Sequence, residues 1–415
     1  YIFDHFTNGD VISDNCYAGG DNPNNFQLDE FTTTPINGNV ERDWRYLYEG
    51  ISRANAVLDN TEAISSPDLS ELRKAEILGE AAFLRAYHYF NLVNLYGSVP
   101  LVLEKVNSTD PEVIYQPQAS SEEIYVSIIA DLEYALNRVS SDVGSAEQVN
   151  QGSVSALLAK AYAHRPNPDW SLVDFYAEAL VGNSSFGLLS SFDMLWNGQN
   201  ENSVESIFEV PYLGGTNEAS WGPQLFLPPS LTGDSWRKFN TPSNDLIATY
   251  QAEGDQIRLQ ASILFENNLP WSDPNFPDGN VPFPFKLRKA DGWSSGSNVI
   301  LLRLADIMIL QAEAKVELGA LAAAAALLNQ VRDRVNLPAI SVGSAEELRV
   351  AIAKERRLEL AFEGHRWFDL KRTGQAVEIM NALNLGYNVT REKLVFPIPQ
   401  SELDRNPNLV QNPSY

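Results

Sequence analysis

The sequence is poor in the residues that build disulfides and metal clusters. Its 415 residues include one cysteine, Cys16, and four histidines that lie far apart. A single cysteine excludes an internal disulfide framework and a zinc site made of several cysteines. No histidine has a second histidine four positions away, which is the spacing of a helical metal site. We therefore expect no metal site built from cysteine or histidine and no cofactor, and these residues do not decide whether a structural Ca²⁺ ion is held by oxygen ligands.

Long apolar runs and an excess of positive charge are also missing. The longest uninterrupted apolar run, residues 320–328, has nine residues, about half of the roughly twenty that span a bilayer. The chain has 30 Lys and Arg residues against 54 Asp and Glu residues, a formal net charge of −24. An acidic surface repels phosphate backbones. The sequence thus predicts neither a transmembrane helix nor a nucleic-acid partner.

Helical periodicity dominates two parts of the chain. Hydrophobic residues make up 44% of the sequence, enough for a substantial core, and they recur at helical spacing. Capping boxes at residues 120–123 and 344–347 mark the starts of two helices. The predicted helices cover residues 44–58, 69–96, 120–138, 153–164, 171–180, 299–318, 320–335 and 344–363. Successive helices of similar length favour a mostly α fold, a tetratricopeptide-like helical-repeat scaffold.

Residues 182–298 have a different composition. They hold 11 of the 25 glycines, 10 of the 23 prolines and five of the eight tryptophans. Short strands are expected, for example at residues 206–210, but long loops dominate, and such loops are usually functional. Residues 1–40 are expected to be irregular. We predict one domain, 1–415, with a helical scaffold at 41–181 and 299–395, a loop-rich insertion at 182–298 and an extended tail at 396–415.

Seven blocks of the sequence, in order from about residue 41 to the C-terminus, carry a resemblance to a known family. They are WRYLYEGI (44–51), AAFLRAYHYF (81–90), ALLAKAY (156–162), LRLAD (302–306), NQVRDR (329–334), ERRLELAFEGHRWFDL (355–370) and FPIP (396–399). With these blocks the chain resembles the SusD/RagB-like nutrient-binding lipoproteins of Bacteroidota outer membranes. The loop-rich insertion does not match, and this is the region in which that family varies.

The resemblance implies a fold, a location and a function. Such proteins have four tetratricopeptide-like helix pairs and a lipidated N-terminal cysteine that anchors them in the outer membrane, facing the cell exterior. They cap a SusC-like TonB-dependent transporter and capture oligosaccharides, or peptides in some members, for import. Cys16 does not lie in a lipobox, so we expect the anchor and the first helix to precede Tyr1. The resemblance implies a non-catalytic glycan-binding protein, with a peptide or another nutrient as the alternative ligand.

Tryptophans in the predicted loops are the candidate ligand contacts. A sugar ring packs its C–H face on an indole, while its hydroxyls need polar partners. Indoles beside Gly, Ser, Asp or Pro in a loop have few reasons to face solvent other than binding. The predicted ligand-contacting tryptophans are Trp221, Trp236, Trp271 and Trp293. The predicted polar partners, in the Asn/Asp-rich N-terminal segment, are Asp14, Asn15, Asp21 and Asn22.

Two sequence patterns resemble catalytic motifs, but we interpret neither of them as catalytic. Residues 292–296 match the G-x-S-x-G nucleophile elbow, and Asp306 and His365 follow in hydrolase order, but the flanking strand and helix of that motif are missing. Residues 355–372 concentrate carboxylates and arginines at spacings typical of helix-supporting ion pairs, and we expect structural ion pairs that fix the last helices against the scaffold. We therefore expect no enzymatic activity. A glycoside hydrolase stays the alternative of a different class, because sequence does not give the separation of two carboxyl groups.

Overall fold

Helices form the frame of the protein in the computed structural model, which describes residues 2–215 and 218–415. The helices are α1 (Ile2–Phe6), α2 (Pro23–Asp29), α3 (Gly38–Thr61), α4 (Glu71–Tyr96), α5 (Pro111–Ile114), α6 (Ser121–Leu136), α7 (Gln151–His164), α8 (Trp170–Val181), α9 (Gly222–Phe226), α10 (Pro229–Thr232), α11 (Asn244–Glu253), α12 (Gln256–Ser262), α13 (Leu304–Glu317), α14 (Leu321–Asp333), α15 (Ala345–Glu359), α16 (Arg366–Arg372), α17 (Ala376–Ala382) and α18 (Gln400–Arg405). The antiparallel strand pairs are β1 (Cys16–Tyr17) with β5 (Thr241–Pro242), β2 (Val99–Pro100) with β3 (Gln118–Ala119), β4 (Ser206–Val210) with β8 (Val299–Arg303), and β6 (Ile263–Glu266) with β7 (Val281–Pro284).

The long helices begin and end where local chemistry favours it. The capping boxes at residues 120–123 and 344–347 are both present, with serine and glutamate each accepting the other's backbone N–H. At the end of α4, Gly97 has a φ of 73° and its N–H donates to the carbonyl of Val93. A positive φ favours glycine, so the helix stops at this residue. The cap predictions are therefore confirmed.

The helices pack against one another in an array that continues across the insertion. α3 packs on α4, α4 on α6, α7 on α8, α8 on α13 and α13 on α14. One hydrophobic cluster contains fully buried residues from α4, α7, α8 and α13, namely Leu92, Leu157, Val173 and Ile309. Because α8 contacts α13 directly, the segment between them leaves the array and returns to it. The mostly α, helical-repeat fold is confirmed.

The length and hydrophobicity of the described helices were compared with those of a membrane-spanning helix. Within residues 2–215 and 218–415, every helix falls short of the length and apolar character of a membrane span.

The N-terminal forty residues differ from the prediction. They contain α1, α2 and a π-helical turn, Thr7–Val11, whose residues are all buried. The Asp10 carboxylate accepts the N–H of Gly364 at 2.9 Å, and a Cβ on Gly9 would overlap the backbone of Gly364. Burial raises the pKa of Asp10 to about 7. Contacts with residues far along the chain fix this turn, so local periodicity does not reveal it.

Two further segments adopt elements other than the predicted ones. Residues 299–318 were predicted as one helix, but 299–303 form β8, opposite β4, and α13 begins at Leu304. A short apolar run such as Val-Ile-Leu-Leu fits a buried strand or a helix equally well. The insertion, predicted as loops and strands, contains the ten-residue helix α11, capped by the Ser243 side chain, and α12, capped by Asp255.

The charged segment 355–372 forms structural ion pairs with the scaffold, as predicted. The buried side chain of Arg356 pairs with Asp306 at 2.7 Å and with Asp369 at 3.1 Å. Glu359 pairs with arginines of other elements, and Glu363 with Arg303 of β8 at 2.6 Å. These pairs tie α15 and the turn after it to β8 and α13, rather than joining residues along one helix face.

Candidate functional site

The pairing of two distant strands brings the N-terminal segment to the insertion. In β1 and β5, Cys16 lies opposite Pro242 and Tyr17 opposite Thr241. The turn after β1 therefore lies beside residues 236–239, which precede β5. This register joins two of the regions in which ligand contacts were predicted.

Two glycines allow the close approach at this turn. A Cβ on Gly19 would overlap the carbonyl oxygen of Lys238, and one on Gly20 would lie 2.7 Å from the Phe239 ring. Gly20 also has a φ of 75°, a conformation that other residues adopt only with strain. Any side chain here would push residues 236–239 away from the turn.

Gly19→Ala is expected to destabilise the protein by about 1–3 kcal/mol, the usual cost of overpacking, and to weaken ligand binding at this site. Thermal unfolding and a ligand titration would measure the two effects. Gly187→Ala is the matched control, because a Cβ on Gly187 meets nothing within 4 Å. Equal behaviour of the two variants would contradict the close-approach argument.

A cavity of about 380 Å³ opens between the turn and the insertion. Its lining residues are Gly20, Asp21, Leu225, Trp236, Arg237, Phe239 and Trp293. The ring centroids of Trp236 and Phe239 are 5.6 Å apart at 47°, and the Phe239 N–H donates to the carbonyl of Leu225. The cavity is thus mainly apolar, with one carboxylate and one guanidinium, the composition of a small-ligand site.

Trp236 is fixed by a buried cation. The Nζ of Lys238 lies 3.9 Å from the centroid of the Trp236 ring. The same ammonium pairs with Asp234 at 2.7 Å and donates to the carbonyl of Gln224 at 2.9 Å. Burial lowers the pKa of Lys238, against the opposing effect of Asp234. This arrangement holds one face of the indole, as cation–π contacts do.

Trp271 supports the cavity without lining it. Its Nε1–H donates to the carbonyl of Ser235 at 3.0 Å, and the guanidinium of Arg237 lies 5.4 Å from its ring centroid. Arg237 also donates to the carbonyl of Ser272. Trp271 therefore positions Arg237, whose remaining N–H groups can serve a ligand.

Trp293 and Trp221 form an exposed aromatic pair. Their rings are 5.8 Å apart and nearly perpendicular, at 87°, and the side chains are 50% and 57% exposed. The loops that carry them are joined by the N–H of Ser220, which donates to the carbonyl of Ser295 at 2.7 Å. Trp293 lines the cavity, and Trp221 extends the aromatic surface beyond it.

The four polar residues predicted in the N-terminal segment have three different positions. Asp21 is exposed and lines the cavity. Asn22 is half-buried and caps α2, with its Oδ1 accepting the N–H of Asn24 at 3.0 Å. Asp21 is thus the one of these four side chains that lines the cavity.

Asp14 and Asn15 require a correction, because both are buried. The Asp14 carboxylate accepts two hydrogen bonds from Arg366, at 2.7 and 2.8 Å, and the Asn15 Oδ1 accepts one from Arg357 at 2.9 Å. Burial alone would raise the pKa of Asp14, but Arg357 and Arg366 outweigh it and hold the pKa below its usual range. These contacts contradict direct ligand binding by Asp14 and Asn15.

Four lining residues are not among the predicted ones, namely Gly20, Leu225, Arg237 and Phe239. Arg237 and Phe239 flank a tryptophan that was predicted, so the run Trp-Arg-Lys-Phe at 236–239 was an available signal. Leu225 gives no such signal, since an apolar residue in a five-residue helix is usually core.

The residues of the formal nucleophile elbow do not form a triad. The serine at the nucleophile position, Ser294, is half-buried, and among the described residues no hydrogen bond joins its hydroxyl to His365, whose Nδ1 lies 3.4 Å from the Lys160 Nζ. The Asp306 carboxylate pairs with Lys160 at 2.6 Å and with Arg356. Within the part of the chain that the structure describes, no cluster of His, Cys, Asp and Glu is arranged to bind a metal ion.

Two family models match the helical parts of the chain. One, described as "Starch-binding associating with outer membrane", matches residues 5–181, and the other, described as "SusD family", matches residues 285–415. This chain belongs to the SusD/RagB-like family. Most of the loop-rich insertion lies between the two matches, so the family models leave much of the cavity lining undescribed.

Individual relatives agree with this assignment. SusD-like protein P38 of Formosa agariphila is 28% identical over 424 residues, which cover 92% of this chain and 81% of the relative. A solved "Laminarin binding SusD-like protein" has a TM-score of 0.84 at 28% identity, covering 100% of this chain and 94% of that one. Surface glycan-binding protein A from Bacteroides uniformis has a TM-score of 0.82 at 26% identity, with 98% and 93% covered.

Proposed function

We propose that this SusD-family protein is a non-catalytic glycan-binding protein that captures oligosaccharides or polysaccharides at the cavity. The observation that carries the proposal is the set of lining residues: two indoles, Trp236 and Trp293, beside the carboxylate of Asp21 and the guanidinium of Arg237. A sugar ring can pack on an indole face while its hydroxyls bond to both charged groups. The names of the laminarin-binding and glycan-binding relatives support the same ligand class.

The expected affinity is low. Covering about 80–100 Å² of apolar surface on one ring contributes roughly 2 kcal/mol, from which the entropy of association is subtracted. One or two such rings therefore give dissociation constants in the micromolar to millimolar range. Weak binding suits a protein that releases its ligand to a second protein.

The proposed location is the outer membrane, with a lipid anchor and the cavity facing the cell exterior. The proposed partner is a SusC-like TonB-dependent transporter that receives the captured glycan. The description of the family model that matches residues 5–181 supports the membrane association, and the resemblance of the seven sequence blocks supports the transporter.

Affinity electrophoresis tests the ligand class. The protein is run in native gels that contain a neutral polysaccharide (laminarin, starch, xylan, mannan or galactan) or an anionic one (alginate, pectate or carrageenan), with albumin as the non-binding control. We expect slower migration in at least one gel and no release of reducing sugar from any polysaccharide. Unchanged mobility in every gel contradicts the proposal, and peptides that co-purify in mass spectrometry would then favour the peptide-binding alternative. Release of reducing sugar would identify a hydrolase.

A further inference from the structure

The charges at the cavity are few and sum to zero. Its lining contains one carboxylate, Asp21, and one guanidinium, Arg237, and no ion pair joins the two. In the described part of the chain, the exposed Asp21 side chain accepts no hydrogen bond and forms no ion pair. Both of its oxygens are therefore available to a ligand.

The position of Arg237 limits what it can offer a ligand. Its guanidinium lies over the Trp271 ring and donates to the carbonyl of Ser272. These contacts use one N–H and one face of the planar group, so its other N–H donors are available to a ligand at the cavity. A ligand therefore finds hydrogen-bond donors at Arg237 and hydrogen-bond acceptors at Asp21.

The neighbouring charges add no net positive potential. Lys238 lies under Trp236, but it is buried and paired with Asp234. The segment that carries Trp293 includes one exposed residue of each sign, Lys289 and Asp291. The whole chain has a formal charge of −24. An anionic ligand is therefore not attracted by the surroundings of the cavity.

Resting on the proposed glycan-binding function, we propose that the cavity selects neutral sugars over sugars that carry carboxylate or sulfate groups, and that Asp21 sets this selectivity. A sugar hydroxyl both donates and accepts, so neighbouring hydroxyls satisfy Asp21 and Arg237 together. A uronate or sulfate group only accepts. It can accept hydrogen bonds from Arg237, but it has no proton to donate to the Asp21 carboxylate. The two negative charges then repel each other without a hydrogen bond between them.

The variants for the test are Asp21→Asn and Asp68→Asn. The first removes the negative charge at the cavity and keeps a side chain of the same shape. Asp68 is exposed in the turn before α4, outside the cavity lining. Asp68→Asn therefore changes the net charge by the same one unit without altering the site.

The measurement is affinity electrophoresis in gels containing neutral polysaccharides (laminarin, starch, xylan and mannan) or anionic ones (alginate, pectate and carrageenan). We expect a neutral polysaccharide to retard the wild type, and we expect added salt to leave this retardation unchanged. The anionic polysaccharides are expected not to retard the wild type. Asp21→Asn is expected to gain about tenfold in affinity for an anionic polysaccharide, while Asp68→Asn behaves as the wild type.

The outcomes separate this inference from the proposed function. Wild-type retardation by an anionic polysaccharide alone overturns the selectivity and leaves glycan binding intact. Retardation by none of the polysaccharides contradicts glycan binding itself. An equal gain in both variants assigns the effect to overall charge, and no gain in Asp21→Asn with neutral binding retained removes Asp21 as the determinant. Either of these two results overturns the inference.

Discussion

Replacing Glu359 with alanine is expected to lower the free energy of unfolding by about 3–5 kcal/mol, the usual effect of removing one partner of a buried ion pair. The Glu359 carboxylate is fully buried and contacts Arg303 at 2.6 Å, Arg258 at 2.9 Å and Arg334. Burial alone would raise the pKa of Glu359, but the three guanidinium groups outweigh it and hold the pKa well below its usual range. The variant leaves these cations buried with one negative charge fewer.

Urea unfolding followed by circular dichroism measures this loss. The control is Glu346→Ala on the same helix, because the Glu346 side chain is 78% exposed and lies 3.4 Å from Arg349. Exposed pairs of this kind contribute at most about 1 kcal/mol. If Glu359→Ala does not fold, Glu359→Gln, which keeps the volume and some hydrogen bonds, is expected to show an intermediate loss. Equal losses at positions 359 and 346 would contradict the argument.

The long helices could be predicted because their causes are local. Ser120 and Ser344 cap the helices that follow them, and Gly97 ends α4, each through contacts within four residues. The partners of Glu359 could not be predicted in this way, since Arg303 is 56 positions away. Charge spacing along one helix says nothing about a cation that another element supplies. The division into scaffold, insertion and tail stays a prediction.

The candidate site shows the same limit. Trp236, which is half-buried, and Trp293, which is 50% exposed, line the cavity from the loop-rich segment that composition indicated. Trp271 has the same kind of sequence environment, yet its indole N–H bonds to the neighbouring loop. Asp14 reads as a turn residue like Asp21, but Arg366, 352 positions away, pairs with it in the interior. The β1–β5 register separates these two aspartates, and sequence does not supply that register.

Trp236→Ala and Trp293→Ala are each expected to weaken glycan binding about thirtyfold, and the double variant is expected to show no measurable binding. Each substitution removes one ring face, worth roughly 2 kcal/mol of apolar contact. Isothermal titration with the polysaccharide that retards the wild type measures the effect. Thermal unfolding of Trp236→Ala separates loss of binding from loss of structure, because this indole also contacts Lys238.

Phe175→Ala is the matched control for both substitutions. Phe175 is an aromatic residue of α8 that is 65% exposed and lies outside the cavity lining, so its removal is expected to leave glycan binding unchanged. Trp221→Ala is expected to weaken binding of long chains more than short ones, because Trp221 extends the aromatic surface beyond the cavity. Wild-type affinity in the double variant would show that the sugar binds elsewhere, since no other indole lines this cavity among the described residues.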